Sequence, residues 1–220
     1  MIVSDIANGV IAAIIAYLLG SFPSAYIVTR LAMGKDIRQL GGGNAGARNV
    51  FREVGLRAAI PVAILDVGKG AAAVAITHWL LNVPLHEPQP FILLAGLAAV
   101  AGHMWSIYLK FTGGNGLSAT IGALSILMPW ELLIVLGLMF ILTVITRNPV
   151  LSLNISLLSL PVSAWFLENS WLPVIFTLLL ILIMVLNFIP TARAALAKAG
   201  SRENLFAELL RKRKAEKEAR

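Results

Sequence analysis

The sequence predicts an all-α, polytopic membrane helical bundle of about seven transmembrane helices, with the amino terminus outside and the carboxyl terminus cytoplasmic. Three observations predict it. Of 220 residues, 58% are hydrophobic and 13% charged, with a mean hydropathy of +0.83, whereas soluble domains are about a quarter charged. Apolar runs recur along the chain near the length of about 20 residues that a bilayer crossing needs. Lysine and arginine fall almost wholly in alternate loops, the pattern that sets orientation.

The first run, 9–31, is interrupted by Gly20, Ser21 and Pro23. Only Asp5 precedes it with charge and no basic segment leads it, so it reads as a retained helix and not a cleaved signal. A Gly- and Arg-rich loop, 34–56, follows. The second run, 58–81, holds Asp66 and Lys69, and the third, 90–109, holds His103 near its end. Runs 117–129 and 132–146 are short and are separated by Trp130 and Glu131. They read either as thin or tilted spans or as a re-entrant hairpin that sets Glu131 in the membrane. The last two runs, 151–167 and 171–189, carry Pro161 and Pro173. The chain thus divides into a transmembrane domain, 1–190, and a basic cytoplasmic tail, 191–220. Helical spacing of charges in the tail fits an interfacial helix on anionic lipid.

With seven crossings, the segments on one side hold Asp5, Glu87, Glu131 and Glu168 and no Lys or Arg. The opposite side holds Arg30, Lys35, Arg38, Arg48, Arg52 and Arg57 in one loop, Lys110 and Arg147 in the next two, and nine basic residues in the tail. Only Lys69, of 18 basic residues, lies outside this set. The net charge of +7 therefore follows the membrane and not a nucleic-acid surface. The absence of cysteine excludes disulfides and thiolate metal sites.

Polar chemistry gathers on the basic side. In Gly41-Gly42-Gly43-Asn44-Ala45-Gly46-Ala47-Arg48-Asn49, four glycines in six positions let backbone N–H groups converge on an anion. Arg48 adds a fork of donors, and a helix following from Asn49 adds its positive end. A surface loop whose arginines meet lipid headgroups has the same composition. A second loop, Gly113-Gly114-Asn115-Gly116, follows Lys110 on the same side. Asp66 and Lys69, three apart, share a helix face. Counted from Arg57, Asp66 lies about 13 Å deep, where ionisable groups pair and face the bundle interior. This pair serves either as an internal ion pair or as catalytic groups. His103 lies close before Lys110 and is able to act as a general base. Ser21 and Ser24 flank Pro23, where a helix break frees backbone donors. No zinc-protease, Walker or nucleophile-elbow motif occurs, which excludes those three classes.

These motifs occur in a familiar order: Gly20-Ser21-Phe22-Pro23, the run Gly41 to Val50, Asp66-x-x-Lys69-Gly70, and Gly102-His103 with Leu109-Lys110-Phe111-x-Gly113-Gly114-x-Gly116. In this the chain resembles the PlsY family of bacterial acyl-phosphate:glycerol-3-phosphate acyltransferases, closely over residues 10–125 and by hydropathy beyond. The resemblance implies an inner-membrane enzyme with a cytoplasm-facing site. It moves a fatty acyl group from acyl phosphate to glycerol 3-phosphate in phospholipid synthesis, with no cofactor. It implies that the first glycine loop holds substrate phosphate. Ser21, Asn44, Asn49, Lys69 and His103 then surround the two anions, with His103 or the substrate's own phosphate as base.

The chain departs from the family at Gly42, where Ser is usual, at Arg48 (Thr or a small residue), at Ser106 (Pro) and at Asn115 (Lys). The family's Arg-His-x-Glu-Asn pattern is not evident after the seventh run: Ile189-Pro190-Thr191-Ala192-Arg193 stands there, and Ser201-Arg202-Glu203-Asn204 comes later. Arg48 is expected to replace the cation missing at Asn115. Two further readings follow: a non-catalytic relative that binds anionic lipid or phosphate, and a small transporter. The almost uniformly apolar outer halves disfavour the transporter.

Overall fold

The computed structural model describes residues 2–85 and 89–199. Helices α1 (Ile2–Gly20) and α2 (Ser24–Met33) replace the first predicted run, broken at Ser21–Pro23. They are followed by α3 (Ala47–Glu53), α4 (Leu56–Leu81), α5 (Pro90–Met104), α6 (Leu117–Leu127) and α7 (Pro129–Thr146). The run 151–167 is also divided, into α8 (Pro149–Ser156) and α9 (Leu160–Glu168), with a 3₁₀ turn at Leu157–Ser159 between them. Helix α10 (Trp171–Ala199) continues through Pro190.

The chain forms two compact units, one to Leu182 and one from Ile183. The second is described only as helix, to Ala199. The rest of the expected basic tail, with Ser201-Arg202-Glu203-Asn204, lies outside the described residues, as do His86 and Glu87.

Among the described residues, five segments are long and apolar enough to cross a membrane: Ile6–Met33, Leu56–Leu81, Pro129–Thr146, Leu151–Glu168 and Trp171–Arg193. Helices α5 and α6, with 15 and 11 residues, extend only about 23 and about 17 Å at the helical rise, less than the hydrocarbon core of about 30 Å. Both are enclosed by neighbours: Ala95, Ala99, Val100, Ala119, Ala123 and Leu124 are all buried. Enclosure explains why they can be short. Non-helical backbone at membrane depth is tolerated where protein, and not lipid, surrounds it, and the 12 residues between α5 and α6 form the second glycine loop and its approach.

Glycine sets how closely these helices approach. A methyl group at Gly20 would lie 2.0 Å from the Ala99 carbonyl oxygen, and one at Gly102 would lie 2.3 Å from that of Tyr17, so α1 and α5 meet backbone to backbone. At Gly122 it would lie 1.9 Å from the Val67 carbonyl oxygen, which fixes α6 on α4 in the same way. Small residues at such crossings are how helices associate where lipid supplies no hydrophobic drive. Ala16, Ala73, Ala95 and Ala99 complete the junction of α1, α4 and α5.

The two ends of the bundle differ. Both glycine loops lie at one end. At the other, Trp79, Trp130 and Trp171 stand exposed at the end of α4 and the starts of α7 and α10, and Trp165 packs 4.5 Å from Trp171. Exposed tryptophan at the ends of apolar helices marks a membrane–water boundary. Glu131 is fully buried at that end, and neither carboxylate oxygen has a hydrogen-bond donor among the described residues. This is the burial that the hairpin reading demanded, but it occurs at the head of α7, a helix long enough to cross.

Candidate active site

The helix break after Gly20 builds the first wall of the site. Ser21 still donates its backbone N–H to the Tyr17 carbonyl, at 2.8 Å, and its own carbonyl accepts a 2.6 Å bond from Ser106 Oγ. Its hydroxyl is buried without a partner among the described residues and lies beside a narrow cleft. Pro23 then turns the chain into α2, which carries Ser24 to the same cleft.

Asp66 on α4 is wholly buried and is the electrostatic centre of the cluster. Its Oδ1 accepts from Ser24 Oγ at 2.5 Å, lies 2.9 Å from Lys69 Nζ and 3.6 Å from His103 Nδ1. The last separation is longer than a hydrogen bond. Lys69 Nζ also donates to the Phe22 carbonyl at 3.0 Å. Lys69 and His103 line the cleft whereas Asp66 stands behind them. The carboxylate pairs with the Lys69 ammonium from outside the cleft lining. The expected pairing of Asp66 with Lys69 is what the structure has, and His103 stands beside the pair. Ser24, which carried no site role in the sequence reading, joins them.

The first glycine loop is held from below. Gly41 and Gly43 adopt φ of 54° and 72°, the left-handed region that glycine accepts without strain. Asn49 accepts from the Gly42 N–H at 3.3 Å and donates to the Leu40 and Ile37 carbonyls at 3.0 and 3.3 Å. The Asn49 amide is thus engaged with the loop backbone and fixes its shape; it does not line the cleft. Helix α3 starts at Ala47, two residues before the expected start, with Gly46 as its N-cap.

The second loop folds onto α5. The Gly114 N–H donates to the His103 carbonyl at 3.0 Å. A methyl group at Gly113 would lie 2.2 Å from that same oxygen, and one at Gly114 would lie 2.1 Å from His103 Nε2. Gly116, at φ 87°, caps α6. Lys110 is exposed at φ 56° and caps the short turn before it, outside the cleft.

The two loops are joined directly. The Ala45 N–H donates to the Gly113 carbonyl at 3.1 Å, and Asn44 Nδ2 donates to Asn115 Oδ1 at 2.5 Å. Arg38, a residue the sequence reading passed over, ties them further. It donates to the Leu109 carbonyl at 3.0 Å and Thr112 Oγ1 at 3.3 Å, forms a 2.7 Å ion pair with Asp36, and lies over the Tyr26 ring. The bond to Arg38 holds the Asp36 carboxyl below its ordinary range.

Arg48 differs from the expectation. It is exposed on α3, has no hydrogen-bond or ion-pair partner among the described residues, and does not line the cleft. Its direction is set by α3, whose Asn49 and Val50 are the buried side.

The cleft between Ser21, Ser24, Ala45, Lys69, His103 and Gly113 has about 10 Å³ of open space, room for one water-sized group. A larger groove of about 390 Å³ lies at the tryptophan end, lined by Leu127, Pro129, Trp130, Leu133 and Glu168. It holds none of the clustered polar groups.

Apolar helices enclosing one polar cluster beneath paired glycine loops define an integral membrane protein with a built site at one end. The family model for glycerol-3-phosphate acyltransferase matches residues 10–198, and the chain belongs to that family. It is 42% identical over 200 residues to glycerol-3-phosphate acyltransferase 1 of Dehalococcoides mccartyi, covering 89% of this chain and 94% of that one. It is 36% identical to glycerol-3-phosphate acyltransferase of Bacillus subtilis, covering 78% and 86%. The fold is similar to the crystal structure of PlsY (YgiH), an integral membrane glycerol 3-phosphate acyltransferase, in its glycerol 3-phosphate form. The TM-score is 0.75 and the identity 23%, over 86% of this chain and 92% of that one.

Proposed function

We propose that this protein moves a fatty acyl group from acyl phosphate to the first hydroxyl of glycerol 3-phosphate, giving lysophosphatidic acid and inorganic phosphate for phospholipid synthesis. The observation that carries the reading is the direct joining of two glycine loops above a cleft lined by Lys69 and His103. The hydroxyl oxygen attacks the acyl carbonyl carbon, the bond from that carbon to the phosphate oxygen breaks, and phosphate leaves. The hydroxyl proton passes to the His103 imidazole or to a phosphate oxygen. Acyl phosphate is already activated, so the protein's work is to orient two anions and stabilise developing negative charge.

In this scheme the loops around Gly41, Gly43 and Gly46 and at Gly113–Gly116 cradle phosphate. The N–H groups of Gly42, Gly43, Ala45 and Gly114 donate to Asn49, Leu40, Gly113 and His103 and shape the cradle, and the other loop N–H groups meet the anion. The Ser21 hydroxyl and the Asn44 and Asn115 amides supply neutral contacts, and Lys69 supplies the cation. Asp66 is a positioning residue, holding Lys69 and facing His103. Because the cleft is smaller than a phosphate group, substrate admission separates the two loops at Ala45–Gly113 and Asn44–Asn115. Purified protein is expected to form lysophosphatidic acid from acyl phosphate and none from acyl-coenzyme A; product from the thioester would contradict the donor assignment.

The orientation belongs to the same proposal: seven crossings, amino terminus outside, and the site facing the cytoplasm of the cell membrane. The partition of lysine and arginine supports it. Cysteine introduced at Gly42, where an added Cβ would meet no atom within 4 Å, is expected to resist a membrane-impermeant maleimide in intact cells and react in inverted vesicles. Labelling in intact cells would overturn the orientation.

A further inference from the structure

Helix α3 carries a cationic face that the proposed reaction does not use. Asn49 and Val50 are its buried side. The helical step of about 100° per residue puts Arg48, Phe51 and Arg52 together on the opposite side. Phe51 is 53% exposed, and Leu56, where the next helix begins, is 60% exposed.

The two arginines lie four apart, where like charges repel. Neither has a hydrogen-bond or ion-pair partner among the described residues. Partial burial, and secondarily the charge of Arg52, lowers the Arg48 guanidinium pKa from its ordinary value. The nearest acidic residue in sequence, Glu53, is turned the other way. An atom added at Gly41 would come within 2.4 Å of Glu53 Oε1, so that carboxylate lies over the glycine loop.

Chain continuity sets the depth of this face. The span Leu56–Leu81 begins three residues after α3 ends, so α3 lies at the bilayer boundary, where the abundant anion is lipid phosphate. A planar guanidinium matches phosphate oxygens bidentately, and an aromatic ring between two such groups suits the headgroup layer. We propose that the Arg48–Phe51–Arg52 face is a docking surface for the phosphate headgroup of an anionic phospholipid, separate from the acyl-transfer cleft. Phosphate chemistry is shared with the soluble acceptor, glycerol 3-phosphate, so the test separates the two.

The full-length protein is placed in nanodiscs of phosphatidylcholine mixed with phosphatidylglycerol, and the retained lipid is counted by native mass spectrometry. The wild type is expected to retain phosphatidylglycerol in preference. Arg48→Gln/Arg52→Gln is expected to lose about fivefold of that preference per arginine. Arg147→Gln, a single arginine at the end of α7 with no second guanidinium four residues away, is expected to lose less than either arginine of the pair. In neutral detergent the double variant is expected to keep the wild-type KM for glycerol 3-phosphate. An unchanged lipid preference in the double variant overturns the proposal, and a raised KM with the preference intact reassigns Arg48 to the acceptor. A second measurement needs no variant: amide exchange over residues 47–53 is expected to be slower in anionic than in neutral discs. Equal rates overturn the proposal. Because these readouts are lipid retention and exchange, failure here leaves the proposed acyl transfer standing, and loss of acyl transfer leaves this surface standing.

Discussion

Replacing Lys69 by methionine is expected to destabilise the protein by about 3–5 kcal/mol, the usual cost of stranding one charge of a buried pair. Asp66 is wholly buried and Lys69 nearly so, with 2.9 Å between carboxylate and ammonium. Without the ammonium, Asp66 keeps the Ser24 hydroxyl as donor, while His103 stands beyond hydrogen-bond distance. A hydroxyl and a distant imidazole do not replace a cation in an apolar bundle. The double change Asp66→Leu/Lys69→Met removes both charges and is expected to recover most of the lost stability while remaining inactive. Thermal unfolding in detergent checks both. If the single variant unfolds no more easily than wild type, the pair is not the electrostatic centre of the fold. If the double variant is the less stable one, repulsion between Asp66 and its surroundings is not what Lys69 relieves.

Gly114→Ala is expected to lower turnover about 100-fold or more, the effect of displacing a reacting group by roughly 1 Å. The added methyl would stand 2.1 Å from His103 Nε2, far inside van der Waals contact. The imidazole is buried, with Asp66 3.6 Å from its Nδ1, so little free space lies around it to take up the displacement. The backbone can shift instead, but the Gly114 N–H is bonded to the His103 carbonyl and Gly113 rests on the same oxygen. Either movement disturbs the cleft. Helix content is expected to change little, because the displacement falls in the loop between α5 and α6 and not within either helix. A variant with wild-type turnover would remove His103 Nε2 from the reaction.

These effects trace to features with different visibility in the sequence. The helices were legible because long apolar runs admit little else in a bilayer. The two glycine loops were legible because four glycines in six positions leave few structural alternatives. Asp66 and Lys69 were legible as a pair, since a spacing of three places them on one face whatever the tertiary fold. Ser24 was not, because its partner lies 42 residues away on another helix. Arg38 was hidden similarly: its bonds to Leu109 and Thr112 cross 71 and 74 residues. Arg48 and Asn49 show the opposite failure. They are adjacent in the loop motif, yet one helical step sends Asn49 inward to hold the loop and Arg48 outward. Composition put Arg48 at the anion site and the family resemblance put Asn49 there, and the rotation of α3 separates them. The division of the first run into α1 and α2 was signalled by Gly20, Ser21 and Pro23. The shortness of α5 and α6 depends on their enclosure by other helices, which no local pattern carries.

Acyl transfer from acyl phosphate to glycerol 3-phosphate is proposed to occur at the cleft beneath the joined loops. The most direct test is to measure phosphate release and lysophosphatidic acid formation together, using purified protein and acyl phosphate with and without glycerol 3-phosphate. Phosphate release is expected to depend on glycerol 3-phosphate, to match product mole for mole, and to fall about 100-fold or more in Gly114→Ala. Phosphate release that is indifferent to glycerol 3-phosphate, or the absence of lysophosphatidic acid from a folded wild-type protein, would contradict it.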